Sequence, residues 1–369
     1  MPLLVHLAAG RQLQAIKLVA GICLTGSLLF AQGKTNAETV IPLTAVDAYA
    51  PTASWVRIFI DYYMPEVDRR LAATGNYRIK WIKGFSGTIA KTRGVLDALK
   101  YDLGDIGIVT TPFYPDKVPF YNLAYVTPFV TTDIGLVART ISDLADRYPE
   151  IKRVWDDHNL VYVTTTGMID TYQVFLSQRP VSLQELKGVR IGGVGLNLRY
   201  LTGLDATGVT STLNDWYNSL DSGLLQGVVA WPEAAIAYRL YEVAPYMLDV
   251  RLGAVTSMVV CINRRTYELL PPEVREVLVA TAKDYRDVLA QDADRMGAQS
   301  RAEYQRLGGT IIELTPAERQ QWVARIPNMA QEWAADLERR GLPGRQILQD
   351  YMDTMRSHQQ PILRHWDRE

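Results

Sequence analysis

Strand-length apolar runs alternate with helical periodicity along almost the whole chain, and that pattern confines it to α/β architectures. Val40–Val46 reads as a first strand, after which Thr52 or Ser54 caps an amphipathic helix running to the Thr74-Gly75 stop. Tyr77–Ile82 alternates polar and apolar residues, the mark of a half-buried strand. A helix is expected from Thr88 to about Tyr101, then a buried strand at Asp105–Val109, a Pro-rich loop, and a helix from about Asp133 to Arg147. Leu160–Thr164 opens the next strand. Ser182-Leu-Gln-Glu185 reads as a capping box on a single helical turn that Gly188 ends before strand Val189–Ile191. Helices at 215–222 and 233–241 flank strand Gly227–Ala230.

From Pro271-Pro272 a helical pattern continues with few breaks to Gly308-Gly309. At 1.5 Å per residue it spans roughly 50 Å, longer than one small domain, so it is expected to lie across two. Strand Thr310–Leu314 follows, and Thr315-Pro-Ala-Glu318 puts Pro at the first helical position and Glu at the third. The last helices end at Gly341 and near His358.

The N-terminus places the chain outside the cytoplasm. Arg11 and Lys17 precede an uncharged run, Leu18–Gly33, too short and too interrupted by Gly, Ser and Thr to span a membrane. It fits a secretory signal over residues 1–37, with small-residue cleavage positions after Gly33 or Ala37. Lipid attachment at Cys23 and a retained anchor are the weaker alternatives, since Ile22 stands where a small residue is needed. Cleavage leaves one thiol, Cys261, inside the apolar strand Met258–Ile262, where it reads as structural. With 39 basic against 40 acidic residues, the net charge of −1 excludes a nucleic-acid binder, which needs a basic surplus. Eight Trp and 20 Tyr are available to wall a cavity.

Catalytic constellations are missing. His6 leaves with the signal, and His158, His358 and His365 sit in loops or near the terminus without ligand spacing. There is no G-x-S-x-G elbow, H-E-x-x-H or phosphate-binding loop. Gly192-Gly-Val-Gly195 follows a strand but lacks the spacing of a dinucleotide turn. The residues read as a non-enzyme with a cleft, using no cofactor and no metal.

Four segments, in order, resemble the periplasmic solute-binding subunit of tripartite ATP-independent periplasmic (TRAP) transporters, the DctP-like family. They are Leu96–Ile108 with Thr127-Pro-Phe129, Arg179–Ile191, Asn214–Val229 and Val259–Val274. The resemblance implies two α/β lobes joined by a hinge, with a ligand cleft between them and a long helix spanning both. Lobe I would take 38–161 and about 251–285, lobe II 162–250 and about 286–369. It also implies capture of a small organic ligand and delivery to the small and large membrane permease subunits; the alternative is a periplasmic sensing protein that presents its ligand to a receptor.

The family usually carries an Arg that grips a ligand carboxylate; here Gly192 stands in its place. The Arg expected after Gly167 is absent too, and Val229 replaces a family acid. An anionic ligand in such a cleft would strand a buried charge, so a neutral, apolar or aromatic solute is expected in place of a C4-dicarboxylate. Strand ends and the loops after them supply the candidate contacts. Trp231, Phe85 and Tyr49 lead, with Ser86, Thr111, Phe113, Tyr114, Thr166, Tyr172, Asn197 and Asn214 around them. Asp170 offers an acid for a cationic or polyol ligand, and Arg190 a relocated positive charge for an organic acid.

Overall fold

The computed structural model describes residues 38–369; the signal, Cys23 and both cleavage positions lie outside the described residues. Among the described residues, eleven strands form two sheets. β1 (Thr39–Val46), β2 (Tyr77–Gly84), β3 (Ile106–Thr110), β4 (Leu160–Thr166) and β10 (Met258–Asn263) make the first, in the order β2-β1-β3-β10-β4. β5 (Gln173–Leu176), β6 (Arg190–Gly193), β7 (Thr207–Thr210), β8 (Gly227–Ala230), β9 (Tyr246–Asp249) and β11 (Thr310–Glu313) make the second, in the order β11-β9-β5-β8-β6-β7.

The residues explain the strand positions. β10 and β8 are buried along their whole length and lie inside their sheets, as continuous apolar runs do when covered on both faces. β2 alternates and lies at an edge. β10 runs antiparallel to β3 and β4, and β5 antiparallel to β8 and β9. The remaining pairs are parallel, so the C-terminal ends of β1, β3, β6, β7 and β8 carry the connecting turns.

The chain passes between the sheets after β4 and again after β9, and the two passages are joined by a bridge between Ile169 and Val255. The long helix is present as Pro272–Arg306. Its buried seam, Val274, Leu278, Ala282, Tyr285, Leu289 and Ala293, advances by three or four residues per step. It packs against strand β4 and against the helices Met64–Ala72, Ile134–Arg147 and Pro232–Ala237, which adjoin both sheets. Cys261 is buried, and burial pushes its thiol well up, so it stays protonated.

Three local expectations need correction. The helix expected from Thr88 begins only at Val95, because Gly94 N–H closes a turn on Lys91 O at 2.7 Å. The helix after β1 has an extended, uncapped start at Ala53 and a π-helical turn at Phe59–Tyr63. The Ser182 hydroxyl caps nothing; Glu185 instead accepts Val181 N–H at 2.9 Å. The Thr315/Glu318 box forms as expected, with Thr315 Oγ1 and Glu318 Oε2 accepting each other's backbone N–H at 3.2 and 2.8 Å.

Candidate functional site

The turns at the strand ends converge on one cavity. From the first sheet come Tyr49 and Trp55 after β1, Thr110, Pro112 and Phe113 at and after β3, and Ser257 and Met258 where β10 begins. From the second come Val194 after β6, Leu213 and Trp216 after β7, and Trp231 after β8. Ile169 and Tyr172, on the passage between the sheets, and Tyr125 complete the wall. Open α/β sheets place ligands in this position, outside the carboxyl ends of their strands. The cavity is small and partly open to solvent, about 40 Å³, room for roughly three water-sized groups at ~10–15 Å³ each. A solute with a ring must therefore part the two sides to enter.

Seven of the fourteen lining residues are aromatic, and none is Lys, Arg or His. Tyr49 meets Trp55 edge to face at 5.0 Å, and Tyr172 meets Trp231 likewise at 6.1 Å. Acids stand behind both indoles. Asp47 is buried; its Oδ1 accepts Tyr49 N–H at 2.7 Å and its Oδ2 accepts Trp55 Nε1–H at 3.2 Å. Burial pushes the Asp47 carboxyl up to about 7, against the lowering effect of those donors. Glu233 Oε2 accepts Trp231 Nε1–H at 3.2 Å and the Ser54 hydroxyl at 3.3 Å. Burial raises its carboxyl as well, opposed by the same two donors. The Ser257 hydroxyl is buried in the wall without a hydrogen-bond partner.

A wider surface hollow of about 460 Å³, lined by Asp116, Lys117, His158 and Arg340, has no strand ends converging on it. Among the described residues no cluster of His, Cys, Asp and Glu is arranged to hold a metal, and no helix is long and apolar enough to cross a membrane.

The profile of bacterial extracellular solute-binding protein, family 7 (DctP), matches residues 70–336. The chain belongs to that family. A solute-binding protein of Albidiferax ferrireducens is 21% identical over 238 residues, 62% of this chain; the match spans less than two thirds, 65%, of that relative's length. The fold is that of TRAP solute-binding proteins of two-lobed form. One from Bordetella bronchiseptica, with bound (R)- and (S)-mandelate, superposes with a TM-score of 0.75 at 18% identity, covering 86% of this chain and 99% of that one. One from Rhodoferax ferrireducens, in complex with copurified benzoate, gives 0.74 at 18% identity, covering 86% and 98%.

Of the residues singled out in the sequence, Tyr49, Phe113, Tyr172 and Trp231 wall the cavity of this DctP-family chain. Phe85 lies in the core, edge to face with Phe59 at 6.5 Å, and Ser86 donates its N–H to Tyr49 O, so this pair supports Tyr49 from behind. Thr111 is buried with its hydroxyl on Tyr121 O, and the Tyr114 hydroxyl accepts Leu96 N–H at 3.4 Å. Thr166 is buried with its hydroxyl unpaired. Asn197 is buried; its Oδ1 accepts Val194 N–H at 2.9 Å and fixes that wall residue. Asp170 faces Gly297 of the long helix, and burial pushes its carboxyl up to about 6. Asn214 is exposed.

Arg190 does not turn into the cavity: it is exposed, and its guanidinium donates to Leu224 O and Gly223 O at 2.8 Å each. Those two carbonyls lie in the turn before β8, which the alternation of β6 alone does not reveal. Gly192 has a local reason. A Cβ there would stand 2.6 Å from both Ser211 Oγ and Leu225 Cδ1, and Ser211 Oγ accepts Trp216 Nε1–H at 2.9 Å. The missing side chain makes room for the pair that sets Trp216 in the wall. Sequence reasoning did not single out Trp55, Trp216, Tyr125, Ser257 or the supporting acids Asp47 and Glu233. For Asp47 the available signal was a lone acid directly after a buried strand end.

Proposed function

We propose that this protein captures a small organic solute in the strand-end aromatic cavity and delivers it to the small and large membrane subunits of a TRAP permease. It works in the periplasm after loss of residues 1–37. Two lobes, one built on each sheet, part and close on the solute about the passages near Ile169 and Val255; β4 stays whole in the first lobe, so the division falls after Thr166 and not at 161. The solute has a compact apolar or aromatic body and no free carboxylate.

One observation carries this reading: the cavity wall is half aromatic and holds no positive side chain. Benzoate and mandelate, found with the Rhodoferax and Bordetella proteins, share an aromatic ring that these walls suit. Their carboxylate would lose its hydration here without a cation in exchange, at a cost of several kcal/mol. Arg199, the other nearby arginine on the second sheet's side, is paired with Glu332 at 2.7 Å.

Calorimetric titration with succinate, malate and fumarate, beside neutral and aromatic solutes, tests the reading. No diacid is expected to bind below micromolar Kd; submicromolar binding of any of the three would refute it. Intact mass of protein recovered from the periplasm is expected to show loss of about 33–37 residues, as the Gly33 and Ala37 positions set.

A further inference from the structure

We propose that the solute is an organic cation, an ammonium group on a compact apolar body, held against the rings of Trp55, Trp231 and Tyr49 with Asp47 and Glu233 behind them. The inference rests on the solute-capture reading and narrows it to one charge class.

Four observations lead there. Aromatic faces are electron-rich and attract a cation placed within about 6 Å of a ring centroid, most strongly when water is excluded. The wall offers such rings on both sides, Tyr49 and Trp55 from the first sheet and Trp231 from the second. Second, both indole N–H groups are engaged by carboxylate oxygens, Trp55 by Asp47 at 3.2 Å and Trp231 by Glu233 at 3.2 Å. A donor bonded to a carboxylate is polarised toward it, which enriches the ring that a cation meets. The carboxylates add their own attraction through a poorly solvated medium.

Third, among the described residues neither acid has a basic side chain hydrogen-bonded to it. Arg57, near Glu233, is bound to Asp292 at 3.0 Å. Arg93 is exposed and lies against the Phe113 ring, 5.8 Å from its centroid. Once ionised, above neutral pH or as a cation draws off the proton, the two acids leave a negative field at the cavity that the bound cation neutralises. Fourth, and independent of the acids, the Ser257 hydroxyl is 3% exposed, lines the cavity and has no partner. It fits a hydroxyl or carbonyl carried beside the ammonium group. An anion gains nothing from the acids, and a neutral body leaves their charge uncompensated.

The test is a calorimetric titration with choline and benzyltrimethylammonium, each beside its uncharged carbon isostere, with 3,3-dimethylbutan-1-ol matching choline. At least one ammonium is expected to bind about tenfold or more tightly than its isostere. Glu233→Gln, which keeps an acceptor for Trp231, is expected to lose most of that difference while its melting temperature stays near the parent's. Asp47→Asn provides a second variant should Glu233→Gln misfold. Equal binding of cation and isostere, or binding of neither ammonium, overturns the inference. So does tight benzoate binding that Arg93→Ala abolishes, which would make Arg93 a carboxylate contact. Mass spectrometry of solute released from the purified protein by denaturation separates the two levels. A neutral or anionic solute cancels the cation and leaves solute capture standing, whereas release of no solute, with no ligand stabilising the protein, counts against capture itself.

Discussion

The Ser54 hydroxyl donates to Glu233 Oε2 across 3.3 Å, joining the turn after β1 in one sheet to the turn after β8 in the other. The same oxygen holds Trp231, so one carboxylate orients a wall residue and ties the two sides of the cavity together. Ser54 is the first helical residue, one past the uncapped start at Ala53, and its side chain points to Glu233. If the two lobes part as proposed, this bond is one that opening must break. Ser54→Ala is therefore expected to speed solute release by about 2–10-fold, the equivalent of ~0.5–1.5 kcal/mol for one hydrogen bond. The ligand-free melting temperature should barely move. Stopped-flow displacement of a bound solute measures the rate, and an unchanged rate would mean that the bond does not contribute to closure.

Gly192 cannot simply be turned back into a clamp. An arginine there drives its Cβ to 2.6 Å from Ser211 Oγ and Leu225 Cδ1, and Ser211 carries Trp216, which is 1% exposed. Gly192→Arg is expected to cost about 1–3 kcal/mol through overpacking and to bring no succinate affinity. Thermal melts and calorimetry check both parts. An arginine variant that melts like the parent and binds succinate would show that the Ser211–Trp216 pair is no obstacle.

The sheets and the long helix were legible because local pattern and tertiary burial agree there. Met258–Ile262 is apolar throughout and becomes a central strand, and the run from Pro272 carries prolines at its start and glycines just past its end. The site was legible only in outline. Strand-end placement found Tyr49, Phe113, Tyr172 and Trp231, since that rule needs no knowledge of side-chain direction. It did not find Trp55 or Trp216, whose positions depend on partners fixed by the fold: Asp47 for one, Ser211 for the other. Phe85 shows the converse. It follows a strand end, but Phe59 from a neighbouring helix draws it into the core.

The passage from β9 toward β10 is held by a buried charge network. Asp249, 3% exposed, accepts two hydrogen bonds from Arg301 of the long helix at 2.9 and 3.0 Å and one from Gln173 at 2.8 Å. Burial alone would raise its carboxyl, but the Arg301 contacts bring it below the usual carboxylate range. Arg301→Ala leaves that charge with only the partly exposed Arg251 and is expected to destabilise the protein by about 3–5 kcal/mol. Removing the exposed Arg239 from Glu242 should cost far less, since water and salt screen that pair. Urea unfolding of the two variants checks the contrast, and equal losses would contradict it.

Asp47 should set part of the pH dependence of stability. Its carboxyl titrates at 3.8 ordinarily and at about 7 in the fold, with burial the cause. An acid raised in the folded state holds its proton more tightly there than in the unfolded chain. Its contribution is therefore fully present below pH 3.8 and is lost as pH rises through 7. At ~1.4 kcal/mol per pH unit the loss across that window is about 4 kcal/mol at most. The groups facing it are the Tyr49 N–H and Trp55 Nε1–H donors, with the raised phenols of Tyr238 and Tyr285 nearby, and both phenols remain neutral across the window. Asp47→Asn removes the titration but keeps an oxygen acceptor, at the expense of one well-matched hydrogen bond, worth about 1 kcal/mol. The variant is expected to be less stable than the parent at pH 3.5, where the carboxyl is protonated in both states, and more stable than the parent by pH 8. Glu233 and Asp170, raised by burial as well, keep a residual slope in both proteins. Chemical denaturation at the two pH values measures the crossing, and parallel stability curves would show that the Asp47 carboxyl does not change its protonation in the folded protein over this range.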